Sequence, residues 1–160
     1  MRSHGLSIVA LTLAALGLVP GGAHLLELPA RLEYPPELYA TVTRTLYRGY
    51  GLVGGSVQVA AALAVSALAL LERRRFDRRR FAAAAAALGV SLLLWGALVA
   101  PVNVAWGRVQ DAAPEVVLDA YARLRMRWEY GHVAAFIAWF TGWIGLVVAT
   151  EAARSRAEGR

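Results

Sequence analysis

Apolar residues along this chain are gathered into four long runs, and polar residues fill the stretches between them. A helix that crosses a membrane needs about 20 consecutive, predominantly apolar residues. Four segments reach that length, and they cover residues 5–28, 50–71, 81–104 and 131–150. We therefore predict an all-α, integral membrane four-helix bundle that forms a single domain over residues 1–160.

Prolines mark the expected limits of these helices. The first run resembles a signal peptide in its small residues, but its apolar pattern continues beyond them, so we predict a span. Pro29 is expected to end that span, because the residue before a proline disfavours the helical conformation. Pro36 and Pro114 are each expected to begin a further helix, since proline suits the first helical position. The two outer segments, 29–49 and 105–130, thus carry helices that either stand above the membrane or lie along it.

Glycines recur at helical spacing inside two of the runs. Gly51 and Gly55 form a G-x-x-x-G pattern, and Gly142 and Gly145 lie three residues apart in the fourth run. Small residues allow helix backbones to approach closely in lipid. We therefore expect both pairs to lie where helices pack against each other.

The arginines predict how the bundle is oriented. Six of them lie in "ERRRFDRRRF", residues 72–81, between the second and third runs. With four spans, this loop and both termini share one side, and short cytoplasmic loops are rich in arginine. We therefore predict a multi-pass protein of the plasma membrane with both termini on the cytoplasmic side and the lipid bilayer as a partner.

Composition narrows the function classes further. The chain is 58% hydrophobic and 18% charged, with a mean hydropathy of +0.48, whereas about a quarter of the residues of a soluble domain are charged. The net charge of +6 could suggest nucleic acid, but no nucleic-acid-binding motif is present and we predict no such partner. The absence of cysteine excludes disulfides, thiolate metal ligands and cysteine nucleophiles.

Polar side chains from separate runs are predicted to meet in the outer half of the bundle. Each predicted span contributes such groups at or near its outer end, and ionisable groups at membrane depth usually face the bundle interior. The residues are His24, Glu27, Gln58, Asn103, Trp106, Glu129 and His132. We predict that His24, His132 and Glu27 are catalytic.

The two histidines and two glutamates are arranged as mirrored pairs. His24 precedes Glu27 by three residues, and Glu129 precedes His132 by three residues. Carboxylate and histidine pairs on facing helices form di-iron and di-manganese sites in helical bundles. These four residues are therefore candidate metal ligands, with iron or copper as the candidate cofactor and a haem held by the two histidines as a weaker alternative.

Two metal-free readings remain open. A histidine oriented by a carboxylate could remove a proton from an acidic carbon or a phenol. Alternatively, each glutamate could simply pair with an arginine on its own helix, Glu27 with Arg31 and Glu129 with Arg125.

Aromatic residues are concentrated in the same outer region. All six tyrosines fall there, either as an interfacial belt or as a cap over a ligand pocket. Tyr50, Trp106 and Trp128 could form a flat apolar wall for an aromatic substrate, and Asn103 could contribute a polar contact. We predict these four as substrate-binding residues.

The segments "APVNVAWGR" and "RMRWEYGHVAAF" carry a family resemblance. Together they resemble the P-x-N and W-x-x-x-H signatures of the anthrone-oxygenase-like family of small four-span membrane proteins. The segments "GAHLLELPARL" and "TLYRGYGLVGG" are similar to that family in layout. The resemblance implies oxidation of a polycyclic aromatic, such as an anthrone, to a quinone with oxygen, and it assigns recurrent polar positions to Asn103, Trp128 and His132.

We therefore expect a membrane oxidoreductase or oxygenase that acts on a lipophilic aromatic small molecule. The first alternative is a binding or transport module for a lipid, quinone or ion. The second is a structural membrane subunit. The sequence leaves open whether copies assemble into a homo-oligomer.

Overall fold

The computed structural model describes residues 2–47 and 49–158, and within these ranges all regular structure is helical. There are two π-helical segments: Tyr50–Gly54 begins the stretch Tyr50–Leu71, and Trp95–Val99 interrupts the stretch Arg75–Val109. The α-helices are α1 (Arg2–Leu16), α2 (Leu18–Glu33), α3 (Pro36–Leu46), α4 (Gly55–Leu71), α5 (Arg75–Leu94), α6 (Ala100–Val109) and α7 (Pro114–Glu158).

Four continuous helical stretches are long and apolar enough to cross a membrane: His4–Glu33, Tyr50–Leu71, Arg75–Val109 and Pro114–Arg156. The prediction of four such helices is confirmed by length and composition. Three of them extend well past the predicted limits, because polar residues continue the helices without a break.

The long helix α7 joins a predicted outer helix and the fourth predicted span in one element of 45 residues. At 1.5 Å per residue it is about 68 Å long, more than twice the ~30 Å thickness of a hydrocarbon core. We call the end of the bundle that holds α3 the α3 end. Helix α7 therefore reaches from the α3 end to the opposite end. There Arg156 of α7 pairs with the buried Asp77 of α5.

Small residues allow α5 and α7 to pack closely. A Cβ atom on Gly142 would lie 2.7 Å from Cδ2 and 3.0 Å from the backbone N of Leu88. At Gly145 the nearest atom, Cβ of Ala84, would be at an ordinary 3.6 Å. The expectation of close packing is thus confirmed for Gly142, whereas the Cβ positions of Gly51 and Gly55 have no heavy atom of the described residues within 4 Å, so that expectation is wrong for the G-x-x-x-G pair.

Gly142→Ala is expected to lower the free energy of unfolding by about 1–3 kcal/mol, because the new methyl group would force α5 and α7 apart. Gly89→Ala is the matched control, since its Cβ would meet none of the described atoms within 4 Å. Unfolding of the purified protein in mixed detergent micelles measures both. Equal stability of the two variants would contradict this packing.

The boundary between α1 and α2 is stabilised by donors from other helices. Pro20 has no N–H and so cannot bond to the carbonyl of Leu16, one turn earlier. Near this point Nε1 of Trp139 donates to Ala14 O at 2.9 Å, and Nε2 of Gln58 donates to Gly17 O at 2.9 Å. Side chains of α7 and α4 thus satisfy carbonyls at the boundary.

Pro29 does not end its helix, so that prediction is wrong: α2 continues through Pro29 to Glu33. Two residues later, the side chain of Arg31 is fully buried and forms an ion pair with Glu129 of α7. This tertiary contact requires the chain to keep its helical path beyond the proline, and it outweighs the local preference of the preceding residue.

Pro101 lies just after the second π-helical segment, in a helix that continues to Val109. In a regular α-helix its missing N–H would have bonded to the carbonyl of Ala97. Nη2 of Arg127, from α7, donates to that carbonyl at 2.8 Å. An arginine of α7 therefore satisfies the carbonyl that Pro101 cannot bond.

Candidate functional site

Two histidines from the first and last candidate spans stack face to face. His24 of α2 and His132 of α7 have ring centroids 4.0 Å apart and planes inclined by 27°. Nδ1 of His132 lies 2.9 Å from the carbonyl oxygen of Trp128. Because a carbonyl only accepts hydrogen bonds, Nδ1 must carry the proton, and in the neutral ring Nε2 is the atom that can accept one.

Aromatic rings surround His24. Tyr47 stacks on it at 4.7 Å between ring centroids, and Trp128 meets it edge-on at 4.9 Å. His24 is only 3% exposed, and among the described residues its Nδ1 atom has no hydrogen-bond partner. The ring is therefore held by stacking.

A buried ion pair supports the histidine pair from the α3 end. Nε and Nη2 of Arg31 both lie 2.8 Å from Oε1 of Glu129, and Nη2 also lies 3.3 Å from the hydroxyl of Thr43. The guanidinium carbon lies 4.5 Å from the ring centroid of Tyr47 and 5.0 Å from that of Trp128. A desolvated cation on aromatic faces adds to the attraction of the ion pair.

Tyr39 of α3 completes this group, with its ring 5.0 Å from the guanidinium carbon of Arg31. Burial, followed by the negative charge of Glu129, raises the pKa of the Tyr39 hydroxyl above its ordinary value. The hydroxyl therefore stays protonated beside the carboxylate. Thus α2, α3 and α7 are joined by one charged group enclosed by aromatic rings.

A cavity of about 580 Å³ opens beside the histidines toward the α3 end. We call it the aromatic chamber, because six aromatic side chains besides the histidines line it. They are Tyr47, Tyr50, Trp95, Trp106, Tyr121 and Trp128. Thr43, Arg44, Asn103, Gln110 and Asp111 add polar groups to its wall. A chamber of this volume can hold a drug-sized ligand, to which its wall offers aromatic faces and several polar contacts.

Hydrogen bonds fix two of these rings. Nε1 of Trp128 donates to Oδ1 of Asn103 at 2.8 Å, and Nε1 of Trp106 donates to Ala120 O at 3.0 Å. Trp106 also stacks on Tyr121, with centroids 4.2 Å apart and planes within 5° of parallel. The flat wall is therefore in place before a ligand binds.

A second cavity, of about 370 Å³, lies on the other side of the histidines. We call it the glycine chamber, because six glycines line it: Gly17, Gly21, Gly51, Gly54, Gly55 and Gly96. His24 and His132 belong to the walls of both chambers, and so do residues of both π-helical segments. Such segments are frequent at functional sites, because they shift side chains out of the regular helical register.

The predicted substrate-binding residues Tyr50, Asn103, Trp106 and Trp128 all line the aromatic chamber, together with the two predicted catalytic histidines. Glu27 lines neither chamber.

Neither of the foreseen local arginine pairs forms. The partner of Glu129 is Arg31 and not Arg125, which instead donates to Tyr34 O at 3.0 Å. Glu129 is therefore already paired and does not orient His132, whose Nδ1 meets a backbone carbonyl.

The residues as placed do not fit the candidate metal site. No group of three or more histidine, cysteine, aspartate or glutamate side chains in residues 2–47 and 49–158 is arranged to hold a metal ion. A metal shared by His24 and His132 would have to lie near both ring planes, about 2 Å from a nitrogen of each. Because the two rings are stacked with centroids 4.0 Å apart, a metal ion between them would lie well out of both ring planes. The same stacking leaves no room for a haem between the two rings.

Sequence reasoning missed Arg31, Tyr47, Trp95 and Tyr121 as part of this site. A signal existed for two of them: Arg31 follows His24 by seven residues and Tyr121 precedes Trp128 by seven, which places each pair on one helix face. Three of the six tyrosines line the aromatic chamber, which favours a cap over a pocket for them.

Comparisons of the chain with protein-family models, with curated proteins and with solved structures found no match. The resemblance to the anthrone-oxygenase-like family therefore stays a prediction.

Proposed function

We propose that the protein is a small membrane oxidoreductase that oxidises a lipophilic aromatic molecule with dioxygen in the aromatic chamber. The observation that carries this proposal is the stacked pair of His24 and His132, open to a chamber of about 580 Å³ with six aromatic side chains in its wall. We further propose that it is a plasma-membrane protein with both termini on the cytoplasmic side, as the six arginines of residues 72–80 favour.

The proposed reaction begins with a proton transfer to His132. Its Nδ1–H donates to the carbonyl of Trp128, and its Nε2 accepts a proton from a methylene carbon that lies between aromatic rings. The flat wall, in which Trp106 stacks on Tyr121, would hold the rings of the substrate.

Dioxygen then reacts with the carbanion and supplies the oxygen atom of the product. The carbanion bonds to one oxygen atom, and the resulting peroxide takes the proton back from His132. Nε2 of His132 then removes the remaining proton from that carbon while the O–O bond breaks, so the carbon becomes a carbonyl group and the proton leaves with the departing hydroxide as water. The methylene group loses two hydrogens and gains one oxygen, and the second oxygen leaves as water with both hydrogens. Every proton is handled by a residue of this chain, and no step passes through a metal.

A turnover assay tests the proposal. Purified protein in lipid nanodiscs is given an anthrone, and dioxygen uptake and quinone formation are followed together, with and without a metal chelator. We expect equimolar uptake and formation, unchanged by the chelator. Turnover no faster than in empty nanodiscs would contradict the oxidoreductase function and favour a binding module. Loss of turnover on chelation would contradict the metal-free route.

A further inference from the structure

The glycine chamber opens toward the surroundings of the candidate spans. Gly51, Val59 and Gly96 all line it and are all exposed, and each lies in a helical stretch apolar enough to cross a membrane. The chamber thus extends from the histidine pair to the outer surface of the apolar helices. In a membrane, that surface faces lipid chains.

Three polar side chains in the wall of the glycine chamber already donate hydrogen bonds to backbone carbonyls. Nε2 of Gln58 donates to Gly17 O, Oγ of Ser91 donates to Ala135 O at 2.7 Å, and Nε1 of Trp139 donates to Ala14 O. Apart from the histidines, Tyr50 and Trp95, which it shares with the aromatic chamber, its wall consists mainly of glycines and apolar side chains. Such a wall suits a hydrocarbon chain.

The glycines keep this space open. The Cβ positions of Gly55 and Gly96 would have no heavy atom of the described residues within 4 Å, although both glycines line the chamber. Helix packing therefore does not require glycine at these positions, whereas at Gly21 a Cβ would lie 2.8 Å from the ring of Phe136. The absence of side chains at Gly55 and Gly96 therefore leaves room for the chamber.

The two chambers meet at the histidine pair. His24, His132, Tyr50, Gly51 and Trp95 belong to both walls. A ligand bound across the junction would place one part against the stacked rings of the aromatic chamber and another in the apolar glycine chamber. The atoms between the two parts would lie at the histidines.

We propose that the ligand is an aromatic lipid, with its ring system in the aromatic chamber and a hydrocarbon tail that runs through the glycine chamber into the bilayer. This inference rests on the proposed function for the identity of the ring system. The hydrocarbon tail follows from the glycine chamber alone. Entry of this lipid from the bilayer through the glycine chamber also explains why a site within the bundle is open sideways as well as toward the α3 end.

Binding of two quinones tests the proposal, because a quinone is the product class of the proposed reaction. The probes are a decyl-substituted benzoquinone and its methyl-substituted counterpart, and binding is followed by quenching of tryptophan fluorescence in detergent. Gly55 and Gly96 line the glycine chamber, so Gly55→Leu and Gly96→Leu are designed to fill it. Gly107 lines the aromatic chamber, and Gly107→Leu is designed to fill that one. Gly89→Leu is the control, since Gly89 lines neither chamber. Unfolding curves establish that each variant is folded.

We expect Gly55→Leu and Gly96→Leu to raise the apparent Kd of the decyl quinone about tenfold or more, as expected when two or more methylene groups lose their contacts. The same variants should leave the Kd of the methyl quinone unchanged, and Gly89→Leu should change neither. Gly107→Leu should weaken both probes. Because each comparison uses one ligand, differences in partition into the detergent cancel.

Equal binding of the decyl quinone to wild type, Gly55→Leu and Gly96→Leu would overturn the proposal and favour a phospholipid chain or a second copy of the protein in the glycine chamber. The outcomes for function are separate. Tail-dependent binding without turnover would refute the oxidoreductase and leave the aromatic-lipid site intact. Turnover of an anthrone with no effect of either variant on the decyl quinone would do the reverse.

Discussion

Replacing Glu129 by alanine is expected to lower the free energy of unfolding by about 3–5 kcal/mol, because it leaves the guanidinium of Arg31 buried without a counter-charge. The side chains of Arg31 and Glu129 are only 2% and 0% exposed, so water cannot replace the lost carboxylate without a structural change. Unfolding in mixed detergent micelles, followed by circular dichroism, measures the loss. Glu158→Ala is the control, since it removes an exposed ion pair with Arg154, and we expect no measurable change.

A double variant separates the value of the pair from the cost of breaking it. Arg31→Met combined with Glu129→Leu removes both charges and keeps side-chain volume, so it should recover much of the stability lost in Glu129→Ala. If Glu129→Ala were as stable as Glu158→Ala, the ion pair would not be buried as described. If the double variant were the least stable of the set, the charges themselves would be stabilising.

Replacing His132 by alanine is expected to reduce the rate of quinone formation by about 10²–10⁴-fold, the usual contribution of a general base. Binding of the methyl quinone should change little, because the aromatic wall is fixed by its own hydrogen bonds. His4→Ala is the matched control, since His4 is exposed and lines neither chamber. The measurement is kcat for anthrone oxidation, paired with fluorescence quenching by the methyl quinone.

His24→Phe refines this result, because phenylalanine can keep the stack on His132 but cannot accept a proton. We expect His24→Phe to retain most of the activity that His132→Ala loses. The reverse order of activities would make His24 the base. Wild-type kcat in His132→Ala would contradict the proposed role of this residue.

The number and approximate extent of the long apolar helices follow from local properties of the sequence. The length of each apolar run was sufficient to predict four candidate spans, and Pro114 correctly predicted the start of α7. The end of α2 could not be predicted in this way. A proline rule describes one residue and its neighbour, whereas Pro29 is held in a helix by a contact between Arg31 and a residue 98 positions later.

The site was predictable only in part for the same reason. His24 and His132 could be placed at one depth by counting along their helices, and the structure stacks them. Which carboxylate meets which cation depends on the rotation of α2 and α7 about their axes, and an i, i+3 spacing does not determine it. Glu129 therefore pairs with Arg31, although Arg125 is closer in sequence.

The pairing of Arg31 with Glu129 also has a consequence for biogenesis. Arg31 lies in the first candidate span and Glu129 in the last, so a chain under synthesis exposes the cation long before its partner leaves the ribosome. Until α7 has been synthesised, neither the ion pair nor the histidine stack can form. Completion of the last helix therefore pairs the buried cation of α2 and assembles the site in one event, and a chain truncated before α7 would retain an unpaired arginine.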